Sequence, residues 1–355
     1  MNICLINTTQ FWGGGEKWFY QNAVFLSQSG FKVCVLAHRN GRLWKKLENF
    51  KAIELSHLEV KNLSFFNPNK KQALRSYFRR TEVETVIINA SPEVKLCAPV
   101  AKSAGVSHII YRRGSALPVK NTLLNSWIFG KMVSHVITNS LATKQTFLQN
   151  LNGHVLENRV TVIPNGVELP VGISNTAQKV FTIGTLGRLT YQKGYDYAIT
   201  IALKLKSKGL AFKWLFAGGG NQKDELLALV KQHKLESYIE FLDEISDIYS
   251  FFNQIDVYVH TARWEGFGYA IAEAMAHKKS VIAFDISSNP ELVVHGQTGL
   301  LSPFEDIDAI SQQIRSVYKN YDLLNEMGEN AYNLIAQKFT QAKQFKQLAE
   351  YLKSL

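Results

Sequence analysis

Short runs rich in Val and Ile alternate with longer amphipathic stretches along this chain, and the series restarts once. The first series predicts strands at Asn2–Asn7, Lys32–His38, Thr85–Ala90, His108–Tyr111 and His135–Thr138, each followed by a helical pattern. After Val160–Ile163 come Pro164-Asn165-Gly166-Val167-Glu168-Leu169-Pro170 and the polar stretch Gly172–Gln178, punctuation that marks a linker. The second series predicts strands at Val180–Gly184, Lys213–Ala217, Ile239–Leu242, Val257–His260 and Ser280–Ala283. Such alternation requires parallel sheets with helical crossovers. The predicted class is therefore α/β, with two consecutive Rossmann-like, doubly wound domains at 1–170 and 178–339. A last amphipathic helix is expected over 340–355, with Phe345, Leu348, Leu352 and Leu355 on one face. A length of 355 residues agrees with two domains.

Composition narrows the function classes. Apolar residues make up 46% and charged residues 19%, as in an ordinary soluble enzyme. Cys4, Cys34 and Cys97 form no C-x-x-C pair, and two of them lie in predicted strands, so a reducing cytosol is the simpler reading. The start has no basic lead and too short an apolar run for a signal peptide, and no stretch is long enough to span a membrane. The expected location is cytoplasmic, with peripheral attachment to the inner face of the membrane as an option. Charge is uneven: residues 1–177 carry 21 Lys/Arg against 9 Glu and no Asp, or +12, leaving −1 for residues 178–355. Lys61–Arg80 holds six basic residues, four aromatics and no acid. Such a segment suits an anionic bilayer or an anionic acceptor. It equally suits a solvated helix whose aromatics enter the core. No nucleic-acid-binding motif is present, so nucleic acid is not an expected partner.

Four strand-to-helix junctions carry unusual residues, at the place where open α/β sheets bind ligands. Gly13-Gly14-Gly15-Glu16-Lys17 follows the first strand; its glycines allow close approach of an anion to a helix start, or simply make a tight turn. Its spacing is not the dinucleotide fingerprint, which argues against a nicotinamide-dependent dehydrogenase. Gly187-Arg188-Leu189-Thr190-Tyr191-Gln192-Lys193-Gly194 offers an Arg and a Lys that can meet one phosphate pair, or two solvated cations. Glu265-Gly266-Phe267-Gly268-Tyr269-Ala270-Ile271-Ala272-Glu273 places glycines before a helix, with a carboxylate at each end of the motif. Glu273 lies among apolar neighbours, where a carboxylate needs a partner. Ala217-Gly218-Gly219-Gly220 closes a strand and is either a turn or a nucleotide contact.

With these motifs, Asn139-Ser140, Pro164-Asn165-Gly166-Val167, Pro290-Glu291-Leu292-Val293 and Gly299-Leu300-Leu301, the chain resembles the retaining glycosyltransferases of family four almost end to end. The resemblance implies the GT-B fold, with the donor in an interdomain cleft and the final helix crossing back to the first domain. It implies a transfer from a nucleotide-diphosphate sugar to a hydroxyl of a lipopolysaccharide, lipid-linked or other cell-surface glycan. Arg188, Lys193 and Glu265 would be catalytic. The first two would neutralise the departing diphosphate, and Glu265 would contact hydroxyls of the sugar. Gly14, Gly15, Gly187, Gly218, Gly266, Phe267, Gly268, Tyr269 and Glu273 would bind the donor, Glu273 through the ribose. Neither a cofactor nor a metal ion is implied. Many relatives place a His where this chain reads Tyr111-Arg112-Arg113-Gly114-Ser115. Arg112 and Arg113, with Asn165, are acceptor-side candidates, although a structural salt bridge fits the two arginines equally. At Asp243-Glu244 the family usually has a Gly. A catalytically silent subunit that binds a membrane or a partner, and a sugar-nucleotide epimerase, are the alternatives.

Overall fold

The computed structural model describes residues 1–151, 153–172 and 180–355, and the chain divides into two compact units. Apart from Gly172, the linker expected at Gly172–Gln178 lies outside the described residues.

The first unit comprises Met1–Asn165 and Gln344–Leu355. Its strands are β1 (Asn2–Asn7), β2 (Lys32–Ala37), β3 (Ile53–His57), β4 (Thr85–Ile88), β5 (His108–Arg113), β6 (His135–Thr138) and β7 (Val160–Val162). They form one parallel sheet in the order β3-β2-β1-β4-β5-β6-β7. Side chains of β1 and β4 alternate between two cores, as the two-residue period of a strand demands. Cys4, Ile6, Val86 and Ile88 meet Phe78 and Cys97 on one face, while Ile3, Leu5 and Ile87 meet Trp18 and Phe19 on the other. Because helices cover both faces, these strands read as continuous apolar runs. The last helix, Gln341–Lys353, sends Leu348, Ala349 and Leu352 into the second of those cores, and Phe345 stacks on Phe25 with centroids 4.7 Å apart.

The segment Lys61–Arg80 resolves into two environments. Asn67 caps the helix Pro68–Arg80 by accepting the Lys70 amide at 3.0 Å. Leu74 and Phe78 enter the core and Phe65 packs against it, whereas Leu63 and Phe66 are 71% and 69% exposed. Lys71, Arg75 and Arg79 line a groove along the helix, and Arg75 Nε donates to Ser103 Oγ at 3.0 Å.

The second unit, Gly166–Lys343, holds β8 (Phe181–Leu186), β9 (Phe212–Ala217), β10 (Ile239–Phe241), β11 (Val257–His260), β12 (Ser280–Phe284) and β13 (Gly299–Ser302). These are again parallel, in the order β10-β9-β8-β11-β12-β13. Trp214, Phe216, Val257 and Ile282 belong to its core on one face, and Leu215, Tyr258, Val281 and Ala283 to that on the other. In both sheets the strand order reverses beside the first strand of the unit, which is where an open sheet leaves a ligand crevice at its carboxyl edge. Among the described residues, no helix is long and apolar enough to cross a membrane.

Candidate functional site

In the second unit, two loops meet at the carboxyl ends of β8 and β11. The first runs from Gly187 into a short helical turn, Tyr191–Lys193, and Gly194. The second runs from Thr261 to Gly268. Arg263 ties them together. Its guanidinium forms a two-pronged pair with Asp196 at 2.9 and 2.6 Å and lies 4.0 Å from the Tyr191 ring centroid and 4.2 Å from that of Tyr197. Its backbone amide donates to Gln192 O at 2.7 Å, and Gln192 Nε2 donates to Trp264 O at 3.1 Å. A fork-shaped guanidinium held by both carboxylate oxygens and two aromatic faces is a rigid fastener.

Gly194 shows why this junction needs glycine. Its φ is 63°, and a Cβ there would stand 2.1 Å from Thr261 O. No side chain fits where the loops touch. Gly218 is constrained in a similar way: a Cβ would meet Gly187 O at 2.0 Å, so the ends of β8 and β9 pack backbone against backbone.

The fastening brings Lys193 against Glu265. The ammonium pairs with Glu265 Oε1, and His260 Nε2 lies 3.1 Å from the same oxygen. Behind it, Tyr258 O–H sits 3.3 Å from His260 Nδ1 and donates to Leu186 O at 3.1 Å. Glu265 is 6% exposed and His260 2%. Burial pushes the Glu265 carboxyl up, but the Lys193 charge and the His260 hydrogen bond outweigh it and hold the group at about 2. Burial draws His260 below its ordinary value, against the opposing pull of Glu265. The result is a fixed carboxylate, a strong hydrogen-bond acceptor and a weak base.

The remaining predicted donor residues surround this group in the sequence of the second unit. Arg188 is exposed at the head of the first loop. Phe267 is 4% exposed and packs on Tyr269 and Phe339, so only its backbone is available to a ligand. Gly268, at φ 87°, opens the helix Tyr269–Ala276, whose start carries no side-chain cap. Glu273 is half-buried on that helix, and its field reaches Tyr258 together with that of Glu265. Asp243 adopts φ 54°, the left-handed conformation that a glycine takes without strain, and its carboxylate pairs with Lys223.

The other predicted residues lie in the first unit. Gly14 begins the helix Gly14–Gln28; a Cβ on Gly15 would stand 3.4 Å from the Asn89 amide. Beside this loop two carboxylates are buried. Glu16 accepts from Asn7 Nδ2 at 3.2 Å, and Glu93 accepts from the Thr8 backbone and hydroxyl and from the Ala90 amide. Arg112 is 3% exposed, donates to Asn165 Oδ1 at 2.9 Å and lies over Trp18 at 5.0 Å. Arg113 donates to Tyr111 O–H at 3.3 Å and to Leu117 O. Arg112 and Asn165 thus meet each other, which gives both a structural task in addition to any acceptor contact.

Sequence reading missed Arg263 and His260. Arg263 lies outside every glycine-rich motif, and His260 is the last residue of an apolar strand. Its position five residues before Glu265, at the carboxyl end of β11, is the signal that could have found it.

Residues 12–170 match the family model described as Glycosyltransferase Family 4, and residues 172–334 match that of Glycosyl transferases group 1. The chain is 28% identical over 240 residues to the lipopolysaccharide core biosynthesis mannosyltransferase LpcC of Rhizobium leguminosarum, covering 63% of this chain and 65% of that one. It is 29% identical over 180 residues to the putative colanic acid biosynthesis glycosyltransferase WcaL of Salmonella typhimurium, covering 48% of this chain and 44% of WcaL. The matched region therefore spans less than two thirds of either relative. The crystal structure of Anabaena HepE in complex with UDP superposes with a TM-score of 0.85 at 21% identity, over 100% of both chains. That likeness establishes the GT-B fold.

Proposed function

We propose that this chain, whose two halves belong to the glycosyltransferase families that match them in tandem, is a retaining, metal-independent hexosyltransferase using a nucleotide-diphosphate sugar. The observation that carries the reading is the Lys193–Glu265–His260 group at the carboxyl ends of β8 and β11. A departing nucleoside diphosphate develops negative charge, and preorganised cations and amides stabilise it without reorganising. Lys193, Arg188 and the amides opening the helix Tyr269–Ala276 supply such groups. This is why side-chain cations, rather than a metal ion, are assigned to the diphosphate. Glu265, ionised at neutral pH, accepts from hydroxyls of the transferred sugar, and Glu273 from those of the ribose.

A carboxyl held at about 2 is a poor proton acceptor, so Glu265 does not take the acceptor's proton. That proton passes to the departing phosphate, with attack from the same face and retention of configuration. The acceptor is a cell-envelope glycan, lipopolysaccharide or lipid-linked, a reading supported by the similarity to LpcC, of lipopolysaccharide core biosynthesis, and to WcaL, of colanic acid biosynthesis. Lys71, Arg75 and Arg79, with exposed Leu63 and Phe66, suit attachment to the anionic inner face of a membrane.

The test is a panel of nucleotide sugars incubated with the folded protein and candidate acceptors, with proton NMR of the new glycosidic linkage. The expected product keeps the donor's anomeric configuration, and chelation of divalent ions leaves the rate unchanged. An inverted product, or dependence on added metal, overturns that part of the assignment.

A further inference from the structure

At the carboxyl edge of the first unit's sheet, β1, β2 and β3 deliver side chains that donor binding leaves unused. β2 runs out into His38 and Arg39, and β3 ends on His57; the two imidazole rings lie edge to face with centroids 5.4 Å apart. The loop after β1 brings Gln10 alongside. Its amide group is 3.3 Å from His38 Nε2, and its backbone carbonyl accepts the Arg42 amide at 3.3 Å. Trp44 flanks His57 with rings 6.4 Å apart, and the Arg39 guanidinium lies 5.7 Å from the Trp44 centroid. Phe11, next to Gln10, is 75% exposed.

Backbone hydrogen bonds set the chemistry of both rings. The Asn40 amide donates to His38 Nδ1 at 3.1 Å, and the Arg39 amide donates to His57 Nδ1 at 3.1 Å. On His57 the accepting nitrogen carries no proton, so Nε2–H is left as a donor on the far edge, whereas Nε2 of His38 faces the Gln10 side-chain NH2 at 3.3 Å. The His57 donor and the Gln10 side-chain amide beside the exposed Phe11 ring suit a sugar, whose hydroxyls accept and whose C–H face packs on an aromatic. Charge narrows the ligand. Arg39 is exposed within the group, and Glu59, whose field reaches His38, is paired with Lys61 at 2.9 Å.

We infer that Gln10, Phe11, His38, Arg39, Trp44 and His57 form a saccharide platform that takes a sugar bearing an anionic substituent, phosphate or carboxylate, as part of acceptor recognition. The acceptor role rests on the transferase reading; the binding does not need turnover to be seen.

The full chain, labelled at the histidine ring carbons, is titrated with mannose 6-phosphate, glucuronic acid, mannose and inorganic phosphate while carbon–proton spectra are recorded. Spectra of His38→Gln and His57→Gln assign the two resonances. At least one anionic sugar is expected to shift both signals, with a dissociation constant at least about fivefold below those of mannose and phosphate. Which of the two does so distinguishes phosphate from carboxylate. Phe11→Ala and Arg39→Ala are each expected to weaken that binding at least about threefold without lowering the thermal midpoint. Inorganic phosphate binding as tightly as the anionic sugars would reduce the cluster to a basic patch. Silence of both imidazoles toward all four probes would overturn the platform outright. A panel of nucleoside diphosphates and their sugars added to the same samples checks the donor side separately: imidazole shifts persisting in a protein that binds no member of that panel would remove the acceptor role.

Discussion

Lys193 and Glu265, 72 residues apart in the chain, form an ion pair in which the two side chains are only 17% and 8% exposed. Removing either partner strands a charge in a low-dielectric setting. Lys193→Ala should destabilise the second unit by about 2–4 kcal/mol, and Glu265→Gln by a similar amount. The double variant should recover part of the loss, because no lone charge is left behind. Urea unfolding of the four proteins measures this directly, and strict additivity of the single losses would deny the coupling.

The same pair makes stability depend on acid. The Glu265 carboxyl sits at about 2 in the fold, against an ordinary 4.5. A depressed carboxyl stabilises the folded state fully above its unfolded value and loses that contribution as pH falls toward the folded one. The window is therefore pH 4.5 down to 2, and the contribution is about 3 kcal/mol. His260, lowered by burial, acts in the same direction and begins to cost stability below its ordinary value of 6.5. Denaturant midpoints from pH 7 to pH 3 should fall less steeply in Glu265→Gln than in the parent. Parallel curves would contradict the shift.

Gly194 takes no other residue. Gly194→Ala must push a methyl into Thr261 O while holding a left-handed backbone. A loss of about 1–3 kcal/mol is expected, with a fall in donor affinity because Lys193 is displaced with the loop. A variant of parental stability and affinity would show that the loop junction relaxes freely.

The groove along the helix Pro68–Arg80 predicts salt-sensitive membrane attachment. The protein should float with vesicles rich in phosphatidylglycerol and be released at high salt, where screening shortens the attraction. Converting Lys71, Arg75 and Arg79 to Gln should abolish flotation without unfolding, since the side-chain bond lost is an exposed one, from Arg75 Nε to Ser103 Oγ at 3.0 Å. Flotation unchanged by the triple substitution would place the attachment elsewhere.

Much of this architecture was legible in the sequence, for reasons that also explain the gaps. Strands such as Asn2–Asn7 and Val257–His260 are buried on both faces, so they write themselves as unbroken apolar runs. β3, β7 and β13 were not anticipated as strands. Each is an edge strand with partly exposed residues, Glu54 and Ser56 in the first, Thr161 and Val162 in the second and Leu300 and Leu301 in the third, so the apolar signal is diluted. The glycine motifs located the loops of the second unit because backbone crowding at Gly194 and Gly218 admits nothing larger. What spacing could not show was the fastening. Arg263, after β11, reaches back to Asp196, 67 residues earlier in the helix that follows β8, and no local pattern encodes a contact at that separation. Nor could residue type alone show that Arg112 is held by Asn165 and Trp18.

The central claim is that the second unit grips a nucleoside diphosphate through Arg188 and Lys193. Calorimetric titration of folded parent, Arg188→Ala and Lys193→Ala with a panel of nucleotide diphosphates and their sugars tests it most directly. The account predicts saturable binding of at least one member to the parent and a loss of about tenfold or more in each variant, as removal of one charged contact implies. Failure of the folded parent to bind any of them, or undiminished binding by both variants, would contradict it.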